Sequence, residues 1–293
     1  MCACHPAGSL RITSAFNSEN MTRYGFIGTG SMGSMLIRKF ISTGMIAPKD
    51  ITASSKTGIS ARALAETTGI TAALSNTAVA EQAGILFICV RPADVRKVLD
   101  EVWGVLQPGV LIVSIAGSVT LADLARYAGL HARVARVIPA VTAEQGAGIS
   151  LVAFSRGATH EDRERILGLF NAVGTTVETG EENFDLYADL TSCAPAFIAV
   201  MMREYTAAAA RTGSVEPAVA EFLLRKTLCG TARVLDDEGT GFDEVIRRVA
   251  TKGGITEEGV KVLEARLPGV FDGMLVATER KRLIRAKELA RGE

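Results

Sequence analysis

A glycine-rich turn gives the clearest chemical signal in the sequence. An apolar run that starts at Tyr24 leads into the turn Gly28-Thr29-Gly30-Ser31-Met32-Gly33, and apolar residues at helical spacing follow. In this pattern the first glycine permits a tight turn, the second lets the backbone approach phosphate oxygens, and the third lets helix and strand pack closely. The helix N-terminus adds free N–H groups. The order strand, turn, helix therefore predicts a dinucleotide site; the alternative is a structural turn in another α/β domain.

The end of the second predicted strand bears on which dinucleotide binds. Sites for NAD usually carry Asp or Glu there to hold the ribose 2′-hydroxyl. This chain has Ser54-Ser55-Lys56-Thr57 at the end of that strand, which is predicted over residues 50–54. Hydroxyls and an ammonium suit a 2′-phosphate, which a carboxylate would repel. We therefore predict NADP (as NADPH), with NAD as the second choice. The alternative is a solvated turn that caps the next helix.

A second glycine-bearing stretch lies far downstream. In Thr251-Lys252-Gly253-Gly254-Ile255-Thr256, two glycines directly precede a predicted helix. Backbone N–H groups and the helix dipole at such a start can hold an anion, for which a substrate carboxylate is the natural guest. The Thr256 hydroxyl can bond a substrate nitrogen. The alternative is a flexible connection in which Thr256 is a plain N-cap.

Other chemically suggestive residues are weaker candidates. Cys193 lies in a stretch of small residues that opens a long helix, but it lacks an activating base nearby in sequence. Cys2, Cys4 and His5 would need a fourth ligand, so we predict no metal site.

The elements that position these residues alternate between strand and helix up to about residue 181. Apolar runs at 84–90, 110–115, 135–138 and 149–154 are typical of buried strands, and helical segments separate several of them. Ala116 follows one run, Arg91-Pro92 follows Val90, and Asn76 fits the cap of a short helix. The fold class predicted is α/β: an N-terminal Rossmann-type doubly wound sheet over residues 22–181, followed by an all-helical domain over 182–293.

The helical half predicts association with a second copy. Phe197, Val200, Met201, Tyr205 and Ala208 form a wide apolar stripe on a helix expected to be deeply buried. Further helices are expected around residues 219–223, after the double glycine, and at about 270–289. Few capping signals and much apolar surface indicate a dimer in which a second chain completes burial.

Composition limits the classes of partner. The 293 residues include 32 basic and 32 acidic side chains, a balance that does not suggest nucleic-acid binding. No uninterrupted apolar run approaches ~20 residues, so we expect no membrane-spanning helix. Five scattered cysteines indicate a reducing compartment, hence the cytoplasm. Residues 1–21 are predicted to be a disordered or mis-assigned tail, with Met21 as the natural start.

Taken together, these stretches resemble the pyrroline-5-carboxylate reductase family. Five blocks carry the resemblance in the family's order, namely 25–33, 54–57, 87–92, 190–197 and 249–256, followed by 262–264 and 277–280. The resemblance implies a Rossmann domain and a helical dimerisation domain, with dimers also assembled into larger rings. It also implies hydride transfer from NAD(P)H to the C=N bond of 1-pyrroline-5-carboxylate, giving proline. In such a site the protein positions the reactants and the cofactor supplies the hydride chemistry.

Site residues follow from the resemblance by motif. The implied cofactor residues are Gly28, Thr29, Gly30, Ser31, Met32, Gly33, Ser54, Ser55, Lys56, Asn76, Val90, Arg91, Pro92 and Ala116. The implied substrate residues are Thr251, Lys252, Gly253, Gly254, Ile255 and Thr256, and Thr256 is the predicted catalytic residue.

Departures from the family pattern keep two alternatives open. The family's Met-Pro-Asn-Thr-Pro is Ile-Pro-Ala-Val-Thr at 138–142, and Ser-Pro-Gly-Gly-Thr-Thr is Thr-Lys-Gly-Gly-Ile-Thr at 251–256. These blocks are similar to the late-competence branch of the family, so one alternative is a paralogue with another imine substrate or a non-catalytic regulatory role. The other is a reductase that uses a deazaflavin, because that family opens with a similar glycine turn.

Overall fold

The computed structural model describes residues 23–129, 131–237 and 239–291. The predictions for residues 1–21, including Met21 as the start and the set Cys2, Cys4 and His5, lie outside the described residues.

The described part of the N-terminal half forms one eight-stranded sheet in the order β3-β2-β1-β4-β5-β6-β7-β8. The strands are β1 Tyr24–Ile27, β2 Ile51–Ser54, β3 Thr71–Ala72, β4 Ile85–Ile88, β5 Leu111–Ser114, β6 Arg133–Ile138, β7 Gly148–Phe154 and β8 Gly174–Glu178. β6 and β7 pair antiparallel, whereas the other described neighbours pair in parallel. The strand order changes direction between β1 and β4, which is where doubly wound sheets bind ligands.

Helices cover the sheet and then make up the C-terminal half. They are α1 Ser31–Ser42, α2 Ile59–Thr68, α3 Asn76–Ala80, α4 Pro92–Val102, α5 Leu121–Ala128, α6 His160–Asn171, α7 Phe184–Ala188, α8 Ala194–Arg211, α9 Pro217–Asp236, α10 Phe242–Val249 and α11 Ile255–Arg291. Short 3-10 turns lie at Pro48–Asp50, Trp103–Val105, Val141–Gln145 and Glu181–Asn183, and a π-helical turn at Asp189–Cys193 separates α7 from α8. The predicted fold class is confirmed; the exact domain boundary stays a prediction.

The core of the sheet domain is built on aromatic rings packed between the strands and helices. Phe26 of β1 stacks on Phe87 of β4 at a centroid distance of 4.4 Å, and Phe40 of α1 meets Phe170 of α6 edge-on at 5.5 Å. All four rings are fully buried. Burying side chains of this size stabilises the domain and holds the β1–α1 turn rigidly against β4.

Buried ion pairs tie the sheet to the helices that follow it. Arg136 of β6 is buried, with Nη1 2.6 Å from Glu181 Oε1, and its guanidinium lies over the Phe184 ring at 4.5 Å from the centroid. Further along, the buried Asp189 accepts hydrogen bonds from Thr278 Oγ1 at 2.8 Å and Arg282 Nη1 at 2.9 Å. Removing one partner of such pairs leaves an uncompensated charge, so they fix the start of the helical half.

Two sequence-based details are wrong. The side chain of Ser75, not Asn76, caps α3 by accepting from the Ala78 N–H at 3.1 Å. The two helices expected after the double glycine are one helix, α11, which runs through Pro268. The stripe of α8 is partly exposed in the single chain, where Tyr205 is 60% exposed. Its predicted burial by a second chain stays a prediction.

The helical segment Glu181–Arg211 bears on the expectation that the chain has no membrane-spanning helix. It has 31 residues and, by length and composition alone, could cross a membrane, which the sequence analysis did not predict. The apolar helix of a soluble protein passes the same test, so the segment on its own is weak evidence for a membrane span.

Candidate functional site

The glycine turn has the geometry that its sequence pattern predicts. Gly28 has φ +102°, and a Cβ there would lie 2.6 Å from the Cys89 carbonyl oxygen. A Cβ on Gly33 would lie 2.3 Å from the Gly28 carbonyl oxygen, so glycine is needed for the close packing of α1 on the turn. Apart from its chain neighbours, no described residue has a heavy atom within 4 Å of a Cβ built on Gly30, the residue that precedes α1. The turn is therefore tight on the protein side and open where a ligand would approach.

The residues between these glycines contribute mainly backbone groups. The Thr29 side chain is buried, with its hydroxyl 2.7 Å from that of Ser60, and the Ser34 hydroxyl donates to the Thr29 carbonyl at 2.9 Å. Ser31 is exposed, while the side chain of Met32 packs against the core. The N-terminus of α1 thus keeps its N–H groups available for an anion.

A cleft of about 360 Å³ lies beside this turn, next to the strand ends β1, β2 and β4. It brings together predicted cofactor residues from separate segments: Gly28, Ser55, Lys56, Asn76 and Val90. The place is the switch point of the sheet, and the lining mixes an ammonium, a hydroxyl and an amide with apolar groups. That combination suits a phosphorylated ribose next to an aromatic base.

Ser54 has a different position from its neighbours. Its side chain is only 2% exposed, and its hydroxyl donates to Asn76 Oδ1 at 2.8 Å. Ser54 therefore holds another cleft residue instead of presenting its own hydroxyl, whereas Ser55 and Lys56 line the cleft. The Ser55 hydroxyl accepts from the Ala61 N–H at 3.3 Å.

The other predicted cofactor residues follow β4 and β5. Arg91 directly precedes α4 and pairs with Asp94, with Nε 3.2 Å from Oδ2, and Pro92 is the first residue of that helix. Ala116 is buried just after β5, and its N–H donates to Ser114 Oγ at 3.3 Å. All of them lie near carboxyl ends of parallel strands, the edge at which such sheets bind ligands.

Helix α4 also contributes to this cleft, which was not predicted from the sequence. Asp94, Lys97 and Glu101 line it, and the Asn76 Nδ2 donates to Glu101 Oε2 at 2.9 Å. Their spacing could have identified them, because residues three and four apart on a helix share one face. A helix that starts at a strand's carboxyl end presents such a face to the ligand.

The downstream glycine stretch forms one exposed turn between α10 and α11. Gly253 has φ +75°, and the Gly254 N–H donates to the Thr251 carbonyl at 2.8 Å. The Gly253 N–H donates to Glu257 Oε2 at 2.7 Å, so a carboxylate of the chain itself already sits on the predicted anion site. Thr256 is exposed in the first turn of α11. That this turn faces the cleft beside the Gly28–Gly33 turn, so that substrate and cofactor meet, stays a prediction.

Lys252 and Ile255 complete that turn. Both are exposed, and Ile255 is 95% exposed.

Cys193 does not have the environment of a nucleophile. Burial raises the pKa of its thiol, and the nearby Asp189 carboxylate raises it further. The thiol therefore stays protonated near neutral pH, whereas nucleophilic cysteines react as thiolates. Within the described ranges, no group of three or more His, Cys, Asp or Glu side chains is arranged to hold a metal ion.

Comparisons with known proteins match both halves of the chain. Residues 23–118 match the family model described as NADP oxidoreductase coenzyme F420-dependent, and residues 181–284 match the one described as pyrroline-5-carboxylate reductase dimerisation. Pyrroline-5-carboxylate reductase 3 of Bacillus subtilis is 35% identical over 262 residues, covering 89% of this chain and 96% of that protein. The pyrroline-5-carboxylate reductase of Escherichia coli is 32% identical over 244 residues, covering 83% and 90%. ComE operon protein 4 of Bacillus subtilis is 28% identical over 262 residues, covering 88% and 94%.

Solved structures agree on the fold. A pyrroline-5-carboxylate reductase from Coxiella burnetii has a TM-score of 0.81 at 24% identity, covering 92% of this chain and 99% of that one. The Plasmodium falciparum pyrroline carboxylate reductase, solved with NADP bound, has a TM-score of 0.78 at 20% identity, covering 93% and 98%. At these identities the likeness is one of architecture, while the Bacillus and Escherichia sequences decide the family. The chain belongs to the pyrroline-5-carboxylate reductase family and is an oxidoreductase.

Proposed function

We propose that the protein uses NADPH to reduce the C=N bond of 1-pyrroline-5-carboxylate, which yields proline. The observation that carries the proposal is the cleft in which Gly28, Ser55 and Lys56 meet at the switch point of the sheet. The names of the Bacillus and Escherichia relatives supply the substrate, since both are pyrroline-5-carboxylate reductases.

The choice of NADPH over NADH rests on charge. The segment after β2 supplies a hydroxyl from Ser55 and the ammonium of Lys56, and it carries no acidic residue at 54–57. An ammonium stabilises the 2′-phosphate that only NADPH carries. The Plasmodium relative was solved with NADP bound, which agrees with this choice. NADH remains the second nucleotide to test.

The turn at 251–256 is the proposed substrate site. When bound, the nicotinamide supplies the hydride for the imine carbon. Gly253 and Gly254 offer backbone N–H groups to the substrate carboxylate, with Thr251 and Lys252 beside them, and the Thr256 hydroxyl bonds the ring nitrogen. The substrate carboxylate would displace Glu257 from the Gly253 N–H, because both groups need the same donor. Held in this way, the small imine is oriented toward the nicotinamide, and such orientation of the two reactants is the main task of the site.

The proposed assembly is a homodimer through the helical half. The matched dimerisation model covers residues 181–284, and the helices there expose large apolar groups such as Tyr205, Phe222 and Leu263. A second chain would bury these groups, and with them the apolar segment Glu181–Arg211. We accordingly place the protein in the cytoplasm, not in a membrane, and without a nucleic-acid partner. Larger rings of dimers are compatible with this arrangement.

A reductase-like paralogue is the second candidate function. ComE operon protein 4 matches 88% of the chain, compared with 89% and 83% for the Bacillus and Escherichia reductases. Lys252 also adds a positive charge beside the proposed carboxylate site. This candidate binds the dinucleotide but reduces another imine or serves a regulatory role. The F420-dependent description of the model at 23–118 keeps a deazaflavin carrier as a further test.

Complementation tests the proposal directly. A proline-requiring bacterial strain that expresses the wild-type chain should grow without proline, and a Thr256→Ala chain should not restore normal growth. Absence of growth together with measurable NADPH binding by the purified protein would favour the paralogue. Absence of growth would favour the deazaflavin carrier if the purified protein reduces 1-pyrroline-5-carboxylate with reduced F420 but not with NADPH.

A further inference from the structure

The side-chain amide of Asn76 is held from two sides. Ser54 Oγ donates to Asn76 Oδ1 at 2.8 Å, and Asn76 Nδ2 donates to Glu101 Oε2 at 2.9 Å. An ionised carboxylate can only accept hydrogen bonds, whereas a hydroxyl can donate or accept. Ser54 alone would therefore permit either orientation of the amide. Glu101 is the residue that turns the NH₂ group toward itself and leaves the oxygen to Ser54.

This orientation determines what Asn76 offers to a ligand. Its NH₂ group has two N–H bonds, and Glu101 takes one of them. The second N–H remains as a donor in a cleft that Ser55 and Lys56 also line. Phosphate, ribose and adenine nitrogen atoms all accept hydrogen bonds, so a fixed donor at this position suits the adenosine end of a dinucleotide.

We propose that Glu101 is a positioning residue for the nucleotide, acting through Asn76 to fix a hydrogen-bond donor in the cleft. The proposal rests on the proposed NADPH-dependent function. Glu101 belongs to α4, outside every motif by which the cofactor site is identified in the sequence.

The negative charge of Glu101 allows its positioning of Asn76 to be distinguished from its direct electrostatic effect on NADPH. Glu101 lies in the same cleft as Lys56 and Lys97, where a carboxylate repels the phosphates of NADPH and competes for the ammonium groups. Removing that charge should by itself tighten NADPH binding. A loss of affinity on removing Glu101 therefore has to come from the loss of a correctly oriented Asn76.

A double-mutant cycle tests this reasoning. The Kd of NADPH is measured by fluorescence titration of the purified full-length protein for wild type, Glu101→Ala, Asn76→Ala and the double variant. We expect Glu101→Ala to weaken binding about threefold to tenfold, the size of one hydrogen bond. In the Asn76→Ala background, Glu101→Ala should leave the Kd of NADPH within about twofold or lower it, because Glu101 no longer has an Asn76 amide to orient.

Two further variants control for folding and for charge on the same helix. Asp100→Asn alters the neighbouring residue, whose Oδ2 lies 3.7 Å from Arg96 Nε, and it should bind NADPH like wild type. Glu101→Gln keeps the side-chain size, and its amide can either accept from Asn76 Nδ2 or donate to Asn76 Oδ1, so both orientations of the Asn76 amide are allowed. It should weaken NADPH binding by no more than about twofold, less than Glu101→Ala, while the unfolding temperature stays unchanged.

Equal weakening by Glu101→Ala in both backgrounds, or no weakening in the wild-type background, overturns the proposal. Failure of wild type to bind NADPH contradicts the proposed function instead, and the same cycle is then measured with NADH. Binding of neither nucleotide overturns both.

Discussion

Alanine substitutions at two glycines of the same turn should separate fold stability from nucleotide binding. A Cβ on Gly33 would lie 2.3 Å from the Gly28 carbonyl oxygen, a contact that backbone can relieve only by moving α1 away from the turn. Overpacking of this kind costs about 2–3 kcal/mol. For a domain of this size that corresponds to a fall of about 4–12 °C in Tm. Gly33→Ala should therefore lose both stability and NADPH binding.

Gly30→Ala should behave differently. Its added Cβ would have no heavy atom of the described part of the chain within 4 Å apart from its chain neighbours, and the backbone at φ −71° suits alanine. The unfolding free energy should therefore change by less than about 1 kcal/mol. The methyl group would occupy the space proposed for the pyrophosphate and should weaken NADPH at least about tenfold. Thermal unfolding and NADPH titration of both variants measure these effects. Wild-type affinity in Gly30→Ala would refute the placement of the pyrophosphate.

Three further predictions concern the proposed 2′-phosphate site, the proposed catalytic residue and one buried ion pair. Lys56→Ala should raise the Kd of NADPH about tenfold and that of NADH less than about twofold, and equal effects in parallel titrations would remove the phosphate role. Thr256→Ala should lower turnover about tenfold or more at unchanged NADPH affinity, because it removes one transition-state hydrogen bond, and unchanged steady-state turnover would exclude Thr256 from the mechanism. Asp162 is buried, which raises its pKa, but hydrogen bonds from Arg133 and from Thr159 hold that pKa below the ordinary 3.8. The ionised Asp162 therefore stabilises the fold at pH values above its ordinary pKa, and this stabilisation is lost as pH falls through the lowered pKa. Asp162→Asn should lower the free energy of unfolding by about 1.5–3 kcal/mol at neutral pH. In urea titrations the difference in unfolding free energy between wild type and Asp162→Asn should disappear between about pH 5 and pH 2. A difference that does not change with pH would contradict this prediction.

The central strands of the sheet were predictable because they are buried on both faces. The continuous apolar run at 84–90 becomes β4, whose residues are all buried, and the glycine turn after β1 has the tight geometry that its spacing predicts. In the cleft, Ser55 and Lys56 could be placed from sequence because they directly follow a strand in a parallel sheet. Such features depend on local sequence, which is why the pattern suffices.

Features that depend on distant partners were not predictable. Ser75 and Asn76 are both good helix caps, and Ser75 takes that role while the Asn76 side chain bonds Ser54 and Glu101. The π-helical turn Asp189–Cys193 has no signature in apolar spacing. Its buried Asp189 is held by Arg282, which lies 93 residues away in sequence.

Helix length was misjudged, and the partner that buries an apolar helix could not be identified, because neither is decided by local sequence. Pro268 removes one backbone donor and commonly ends a helix, yet α11 continues through it. The apolar stripe on α8 indicates burial without saying by which chain, and Tyr205 remains exposed in a single copy. Both depend on packing that lies outside the local sequence.

Transfer of deuterium tests the central claim most directly. The purified protein is incubated with 1-pyrroline-5-carboxylate and NADPH that carries deuterium at the transferable position of the nicotinamide, and the product is analysed by mass spectrometry and NMR. We predict proline with a single deuterium on its δ-carbon, formed at an initial rate about tenfold or more lower in the Thr256→Ala protein. Absence of proline, or proline without deuterium from NADPH, would contradict it.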